Sequence, residues 1–475
     1  MPVINSVVTL LRKLDFLRSP APSPNYVLRH GPPRSAKGKG GAAAGGGLEE
    51  KLMEILKRQI QNRTQLGCAV VVYKDGELVA HVVGGICRTP GTTSKWISIN
   101  ATSLFFVNSV TKGVCASAFM SLMDQPKYKN LYDQKVSDHW PGFGEAGKGD
   151  ITIEVALSHR AGLADVGGNP LIAFLKLIVY MVYGGSKYVF EKMVALVETT
   201  KPSWTPGTFA AYHAVSFSWI MGGLIDHITG SDDPGSIYSF LHTNLCDPLS
   251  IPRSDVHCGC VPDECVGRIA ATEPVPKTYR LRRSKGAEVE VGASRSGSFS
   301  RWLELNLIGP LEGSLVAGFI GLRAWRQQCL PGNNGCFTAS AIGKVFGALA
   351  NGGEADGSRF VSEHVVDDVK KRIMGESGDV RIKFNHPDGE YEDSVARRSC
   401  GFFPWSSKDL HGEGVNDGLF STEGMGGSFA YADRANGLSV VVCKTVYEPL
   451  SVLGGSISVD SCEIAEAVRG HYGIK

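Results

Sequence analysis

Apolar residues first recur at helical spacing at Leu48, Leu52, Ile55, Leu56 and Ile60, which predicts an amphipathic helix at the start of the folded chain. The period then changes. Two β-rich runs, residues 68–73 and 78–83, flank Lys74-Asp75-Gly76-Glu77, and an Asp-Gly turn between such runs predicts a hairpin. A second hairpin is predicted near the other end, where residues 428–433 and 438–444 surround Asn436-Gly437. Asp460 with Glu463 reads as a capping box for a last helix that runs to about Arg469 and is stopped by Gly470. Between the hairpins, from Ser109 to about Pro310, the pattern is mainly helical and loopy. Hairpins from the two chain ends would share one antiparallel sheet. The predicted fold class is therefore α+β, a central antiparallel sheet flanked by helices with an inserted helical lobe at roughly residues 113–310. A cleft between sheet and lobe is where a substrate would sit.

Residues 1–47 follow a different rule. Apolar positions before Leu17 are interleaved with Arg12 and Lys13, and Asp15 is the only acid. Residues 38–47 are almost entirely Gly, Ala and Lys, the composition of a flexible linker. This basic leader is compatible with a mitochondrial or other organellar transit peptide and equally with a disordered tail. One domain is expected over residues 48–475. The longest apolar run, residues 171–183, is broken by Lys176 and falls short of the ~20 residues that span a bilayer. It reads as a buried helix, or as a lid that touches a membrane surface or gates a substrate.

Composition narrows the function classes. The 475 residues are 43% hydrophobic and 20% charged, as in an ordinary globular protein. A formal net charge of +2 gives no electrostatic case for nucleic acid, and the basic run Arg280-Leu281-Arg282-Arg283 reads as a solvated loop. Twelve cysteines without a disulfide framework, and no stretch that reads as a secretory signal, imply reduced thiols in an intracellular compartment, cytoplasmic or organellar. The cluster His257-Cys258-Gly259-Cys260 followed by Cys265 lacks the second Cys-x-x-Cys pair that would close a metal tetrahedron, so it reads as a surface loop. Neither a metal nor a cofactor is called for.

Three segments could carry chemistry. Ser109-Val110-Thr111-Lys112 precedes an apolar, small-residue run; if Ser109 opens that helix, Lys112 lies one turn on and on the same face. A serine hydroxyl needs a group to take its proton, and a neighbouring ammonium with a helix N-terminus stabilises the alkoxide. Trp204-Thr205-Pro206-Gly207 delivers Tyr212 at a loop end, ahead of a helix predicted from Val215 to about Thr229 and stopped by Gly230. A tyrosine aimed at Ser109 beside Lys112 could act as general base. Residues 420–428, with Gly424, Gly426 and Gly427, enter the C-terminal hairpin, where an edge strand could present an N–H to an oxyanion. A Gly-x-Ser-x-Gly elbow does not occur, which argues against a Ser-His-Asp hydrolase.

These segments in this order resemble the β-lactamase-related serine hydrolases: class C β-lactamases, D-alanyl-D-alanine carboxypeptidases and family VIII esterases, and among them most of all the eukaryotic β-lactamase-domain proteins. The likeness runs from about Leu66 to the chain end. It includes Leu157-Ser158-His159-Arg160-Ala161-Gly162-Leu163, similar to the family's "LLxHtSGL" segment. It also includes the run from Asn333-Asn334-Gly335 to Asn351-Gly352-Gly353, and Gly426-Gly427-Ser428, similar to the family's "GGSxxxaDP" strand. The resemblance implies a β-lactamase/transpeptidase-like fold. It implies Ser109 as acylated nucleophile, Lys112 beside it, Tyr212 as proton shuttle, and the backbone N–H groups of Ser109 and Met425 as oxyanion hole.

Two positions depart from the family pattern. Thr422-Glu423-Gly424 stands where lactamases have Lys-Thr-Gly and esterases often His-x-Gly, so a cation that helps bind a carboxylate is missing and Glu423 adds negative charge. Ala214 stands where many members carry an asparagine amide. Thr422, Glu423, Gly424 and Ala214 are thus the expected substrate-binding positions, and both departures argue against efficient β-lactam hydrolysis. The expected function is a serine hydrolase that acts through an acyl-enzyme on an ester or amide of a small molecule or peptide. The alternative is a catalytically retired scaffold with a structural or assembly role.

Overall fold

The computed structural model of the chain describes residues 29–30, 46–90, 95–164, 166, 185–208, 210, 212–231, 236–274, 322–374, 400–402, 419–447 and 458–474. The apolar run 171–183, the basic run 280–283 and all of the leader except residues 29–30 and 46–47 lie outside the described residues. No helix among the described residues is long and apolar enough to cross a membrane.

The predicted first helix forms as α1 (Gly46–Gln61), with Leu48, Leu52, Ile55, Leu56 and Ile60 all buried. It leads into the predicted hairpin of β1 (Gly67–Lys74) and β2 (Glu77–Arg88). Asp75 and Gly76 both adopt positive φ, 53° and 78°, the twist that a two-residue hairpin turn requires. Short strands β3 (Trp96–Ser98) and β4 (Leu104–Phe106) follow, then helix α2 (Val110–Met120). The middle of the chain supplies α3 (Ser216–Thr229), β5 (Val256–Cys258), β6 (Ile269–Ala270), β7 (Gly335–Thr338) and α4 (Ala339–Ala350). The chain closes with β8 (Leu419–Glu423), β9 (Phe429–Asp433), β10 (Leu438–Lys444) and α5 (Val459–His471).

Hairpins from both ends share one antiparallel sheet, in the order Arg29–His30, β2, β1, β10, β9, β8, with β3 on β2. The seam between the two ends is β1 with β10, where Val70 faces Val442 and Val72 faces Val440. Alternation sorts the side chains to two faces. Val70, Val72, Val82, Val440 and Val442 pack against Leu52 and Leu56 of α1 and Ile464 and Val468 of α5. Val71, Tyr73, Val83, Ala430 and Val441 turn the other way, toward Ile342, Phe346 and Leu349 of α4 and the rest of the core. Two glycines let α4 lie this close. A Cβ on Gly343 would stand 2.3 Å from Val71, and one on Gly347 would stand 2.5 Å from the Tyr73 ring.

Several local expectations change. The C-terminal hairpin pairs Asp433 with Leu438, so its turn spans four residues and not the Asn436-Gly437 dipeptide alone. Asp433 holds this turn by accepting from Asn436 N–H and Nδ2. The last helix takes Ser458 as its N-cap residue, Asp460 lies buried inside its first turn, and the helix runs on to His471. The Ser458 hydroxyl accepts from buried Lys444 at 2.8 Å and makes no side-chain cap to the helix, which explains why the capping box was misplaced. The mid-chain also contributes a second sheet, in the order β5, β7, β4, β6, that periodicity did not reveal because its strands are only two to four residues long. The cysteine cluster read as a surface loop lies partly in that sheet, with His257 and Cys258 buried in β5 opposite Cys336 and Gly335 of β7.

Candidate active site

The second sheet positions Ser109. The chain leaves β4 at Val107, whose N–H donates to Gly335 O at 3.1 Å. It turns through Asn108 at φ 48°, a left-handed conformation that asparagine tolerates better than most residues. It then enters α2 with Ser109 as the N-cap residue. Thr111 Oγ1 locks this corner. It donates to Asn108 O at 2.5 Å and accepts from Gly335 N–H at 2.9 Å. Ser109 thus sits at the positive end of an 11-residue helix, only 9% exposed.

Lys112 follows one turn on and is fully buried. Its ammonium donates to Ser109 Oγ at 3.3 Å, to Ala214 O at 3.2 Å and to Gly332 O at 2.7 Å. It also lies over the rings of Tyr212 and Phe217, at 5.0 and 5.4 Å from their centroids. The Tyr212 hydroxyl donates to Ser109 Oγ at 2.6 Å. Ser109 Oγ therefore lies within hydrogen-bonding reach of both a phenol and an ammonium.

The loop that carries Tyr212 is held by the segment 158–163. Arg160 clamps Gly207 from two sides, its backbone O accepting the Gly207 N–H at 3.0 Å and its guanidinium donating to Gly207 O at 2.6 Å. Two buried histidines complete the hold. His159 Nδ1 accepts the His213 N–H at 3.0 Å, and His213 Nε2 accepts the Leu163 N–H at 3.0 Å. The His159 ring packs against Tyr212 with centroids 5.0 Å apart. Ser216, at the start of α3, donates to Leu163 O at 2.6 Å.

Edge strand β8 forms the opposite wall. Thr422 is buried, and its hydroxyl donates to Ser109 O at 3.1 Å. A Cβ on Gly113 would meet Thr422 Cγ2 at 2.8 Å, so α2 lies directly on the strand. Glu423 is half-buried at the strand end. Gly424 is pressed against the corner before Ser109, where an added Cβ would stand 2.1 Å from Val107 O. Its N–H donates to Ser428 O, and Gly427 N–H donates back to Gly424 O, closing a turn in which Gly426 and Gly427 both have positive φ. Met425 rides on that turn, and its carbonyl accepts from Asn108 Nδ2. Among the described residues, neither the Ser109 N–H nor the Met425 N–H is bonded to another backbone carbonyl.

Ser109, Lys112, Tyr212, Ala214 and Thr422 are thus joined by direct hydrogen bonds, while Gly424 and Met425 are tied to Ser109 through Val107 and Asn108. Ala214 contributes its carbonyl. The residue that sequence reasoning missed is Asn333. Its Nδ2 donates to the same Ala214 carbonyl at 3.1 Å and to Ser218 Oγ at 3.1 Å. An asparagine amide therefore stands beside Ala214 after all, supplied by a turn 119 residues further along the chain. No spacing in the sequence signals that meeting. His159 and Arg160 fell within a segment singled out for its resemblance, but their part as holders of the Tyr212 loop is visible only in space.

Comparison with known proteins supplies independent findings. The sequence model of the family described as Beta-lactamase matches residues 50–451. The chain is 30% identical over 304 residues to the esterase/beta-lactamase LipL of Mycobacterium tuberculosis, a stretch that covers 63% of this chain and 62% of that one. The chain thus spans under two thirds of the length of that relative. A family VIII carboxylesterase structure superposes with a TM-score of 0.64 at 23% identity, over 89% of this chain and 97% of the other. A penicillin-binding protein homologue from Caulobacter crescentus gives the same TM-score, identity and coverage. EstA from Arthrobacter nitroguajacolicus superposes with a TM-score of 0.61 at 19% identity, over 89% of this chain and 96% of that one. At these identities the structures establish the fold, which is the α+β, β-lactamase/transpeptidase-like one.

Proposed function

We propose that this chain, which belongs to the β-lactamase family, is a serine hydrolase that cleaves an ester or amide through an acyl-enzyme on Ser109. The observation that carries the reading is the double contact on Ser109 Oγ, with Tyr212 Oη at 2.6 Å and Lys112 Nζ at 3.3 Å. In the reacting form Tyr212 is the phenolate, its charge offset by the Lys112 ammonium; as Ser109 Oγ attacks the substrate carbonyl carbon, the phenolate takes the serine proton and becomes the phenol. The N–H groups of Ser109 and Met425 receive the oxyanion. Tyr212 then returns the proton to the leaving group, and a water repeats the sequence to free the acyl product. The relative LipL, named an esterase/beta-lactamase, supports this class of reaction.

The substrate-binding positions favour a neutral acyl group. Where the family presents a cation to a substrate carboxylate, this chain has Thr422, its hydroxyl committed to Ser109 O, with Glu423 next to it. A carboxylate placed near the scissile bond would find a committed hydroxyl there in place of a cation. Ester or amide cleavage is therefore the activity, and β-lactam hydrolysis is at most weak. Twelve cysteines whose spacing forms no disulfide framework support a reducing intracellular compartment, cytoplasmic or organellar, as the place of work. Intact-mass measurement after exposure to a fluorophosphonate tests the reading. One covalent adduct on wild type and none on Ser109→Ala is expected. A folded wild type that takes no adduct, or an adduct that survives Ser109→Ala, would overturn it.

A further inference from the structure

The cysteine cluster singled out in the sequence is not absorbed by the hydrolase site, and its surroundings are unusual. Two segments run side by side behind the site, residues 258–261 from the end of β5 and residues 325–329 ahead of β7. Val261 N–H donates to Arg326 O at 3.5 Å, and Gln327 Nε2 donates to Val261 O at 2.8 Å. A Cβ on Gly259 would stand 3.2 Å from Cys329 Cα, so the two backbones touch at the next residue. Gly259 and Cys260 both have positive φ, 76° and 49°, a corner that swings Cys260 out of the strand direction. There Cys260 is exposed and Cys329 is 7% exposed, and the two thiols are in hydrogen-bonding contact. Ser186 Oγ donates to Cys329 Sγ at 3.5 Å. A second pair, Cys115 and Cys258, also touches but is fully buried. Among the described residues no group of three His, Cys, Asp or Glu is placed to hold a metal ion, so the chemistry open to the surface pair is that of two thiols.

We propose that Cys260 and Cys329 are an oxidisable pair that closes to a reversible disulfide when the folded protein meets a peroxide. Cys260 is the attacking thiol because it alone of the two is exposed. Its sulfur attacks one oxygen of hydrogen peroxide, the O–O bond breaks, hydroxide leaves and Cys260 becomes a sulfenic acid. The Cys329 sulfur then attacks the Cys260 sulfur. The S–O bond breaks, and the departing hydroxide leaves as water with the Cys329 proton. Two thiols are oxidised by two electrons in all, and the peroxide is reduced to two waters. An external dithiol reverses the step. The contact itself supports this order, because the hydrogen bond to Cys260 and burial hold the Cys329 proton in place, pushing its thiol far above the ordinary value. The bond forms at the root of the turn that serves the active site. Leu330 O, one residue on, accepts the N–H groups of Gly332, Asn333 and Asn334, and Gly332 O receives Lys112.

The test uses the full-length, reduced protein treated with a small excess of hydrogen peroxide, alkylated with iodoacetamide and mapped by peptide mass spectrometry. A cross-linked peptide that joins Cys260 to Cys329, with Cys115 and Cys258 unlinked, is expected, and dithiothreitol should dissolve it. Cys260→Ser should abolish the link, whereas Cys329→Ala should leave a sulfenic acid on Cys260 that dimedone traps. Ser109→Ala should form the link as readily as wild type, so a failure of the hydrolase reading leaves this one standing. Full alkylation of Cys260 and Cys329 after peroxide, or linkage of Cys260 to any other cysteine or to a second molecule, overturns the proposal.

Discussion

Tyr212→Phe isolates the chemical step, because it deletes one oxygen and leaves the shape of the site alone. The ring stays, and with it the contact with His159 at 5.0 Å and the Lys112 ammonium 5.0 Å above the ring. The loop remains clamped by Arg160 and the two histidines. Ser109 Oγ loses the 2.6 Å partner and keeps Lys112. Tyr212 is only partly buried, so the lost hydrogen bond costs about 0.5–1.5 kcal/mol of stability at most. A positioned general base is worth ~10²–10⁴ in rate, which corresponds to about 3–5 kcal/mol of transition-state stabilisation. The two figures separate cleanly. The variant should melt within a few degrees of wild type, and its rate of Ser109 acylation should fall by at least about a hundredfold. Single-turnover acylation by an activated ester, followed with stopped-flow absorbance and paired with calorimetry, reads both. Acylation within about threefold of wild type would refute the role of Tyr212, since so small a change is under 1 kcal/mol.

Three further outcomes are expected. Asn333→Ala removes the amide that holds the Ala214 carbonyl and should lower kcat/KM by about tenfold, and Ala214→Asn in that background should recover part of the loss; a double variant no better than Asn333→Ala would show that position 214 cannot host the missing donor. Gly424→Ala puts a methyl group 2.1 Å from Val107 O, so the strand or the nucleophile corner must shift, with a loss of about 1–3 kcal/mol by denaturant melts and slower acylation; wild-type values for both would refute the packing described. Burial lowers the buried imidazole of His81 from 6.5 to about 4. The folded form then stays neutral in a range where the unfolded chain binds a proton, so stability is complete above pH 6.5 and falls as the pH drops toward 4, by up to about 3 kcal/mol. His81→Leu should flatten that slope in chemical denaturation between pH 7 and 4.5, and an equal slope in both proteins would exclude His81 as its source.

The parts legible in the sequence share one property, which is that the interactions behind them are local or periodic. The stripe from Leu48 to Ile60, the Asp75-Gly76 turn and the Ser109–Lys112 pair are all set by neighbours within a few residues. The union of the two terminal hairpins was readable because β1 and β10 are nearly all apolar and needed a partner. The second sheet was not readable, because its strands are too short to establish a period of two. The capping box failed for a different reason. Ser458, the true N-cap residue, spends its hydroxyl on Lys444, a contact across 14 positions that no pattern around Asp460 betrays.

The departures at positions 214 and 422 show what motif reading does and does not test. A motif states which residue stands at a place in the chain, whereas acyl transfer constrains which groups stand at a place in space. At Ala214 the two diverge. The side-chain amide is absent from the loop, yet Asn333 brings one to within 3.1 Å of the Ala214 carbonyl, on the same oxygen that Lys112 uses. The ammonium is thereby held by two carbonyls, and one of those is itself anchored by an amide. At Thr422 the two agree. The cation is missing from the strand, and among the described residues Lys112 is the only cation hydrogen-bonded to Ser109 Oγ. The first departure leaves the hydrogen bonds from Lys112 to Ser109 Oγ and to the Ala214 carbonyl in place. The second removes a charge whose use lies in gripping an anionic substrate. Under the proposed function the two together separate the capacity to acylate from the choice of what is acylated, and a neutral ester or amide is the substrate they favour.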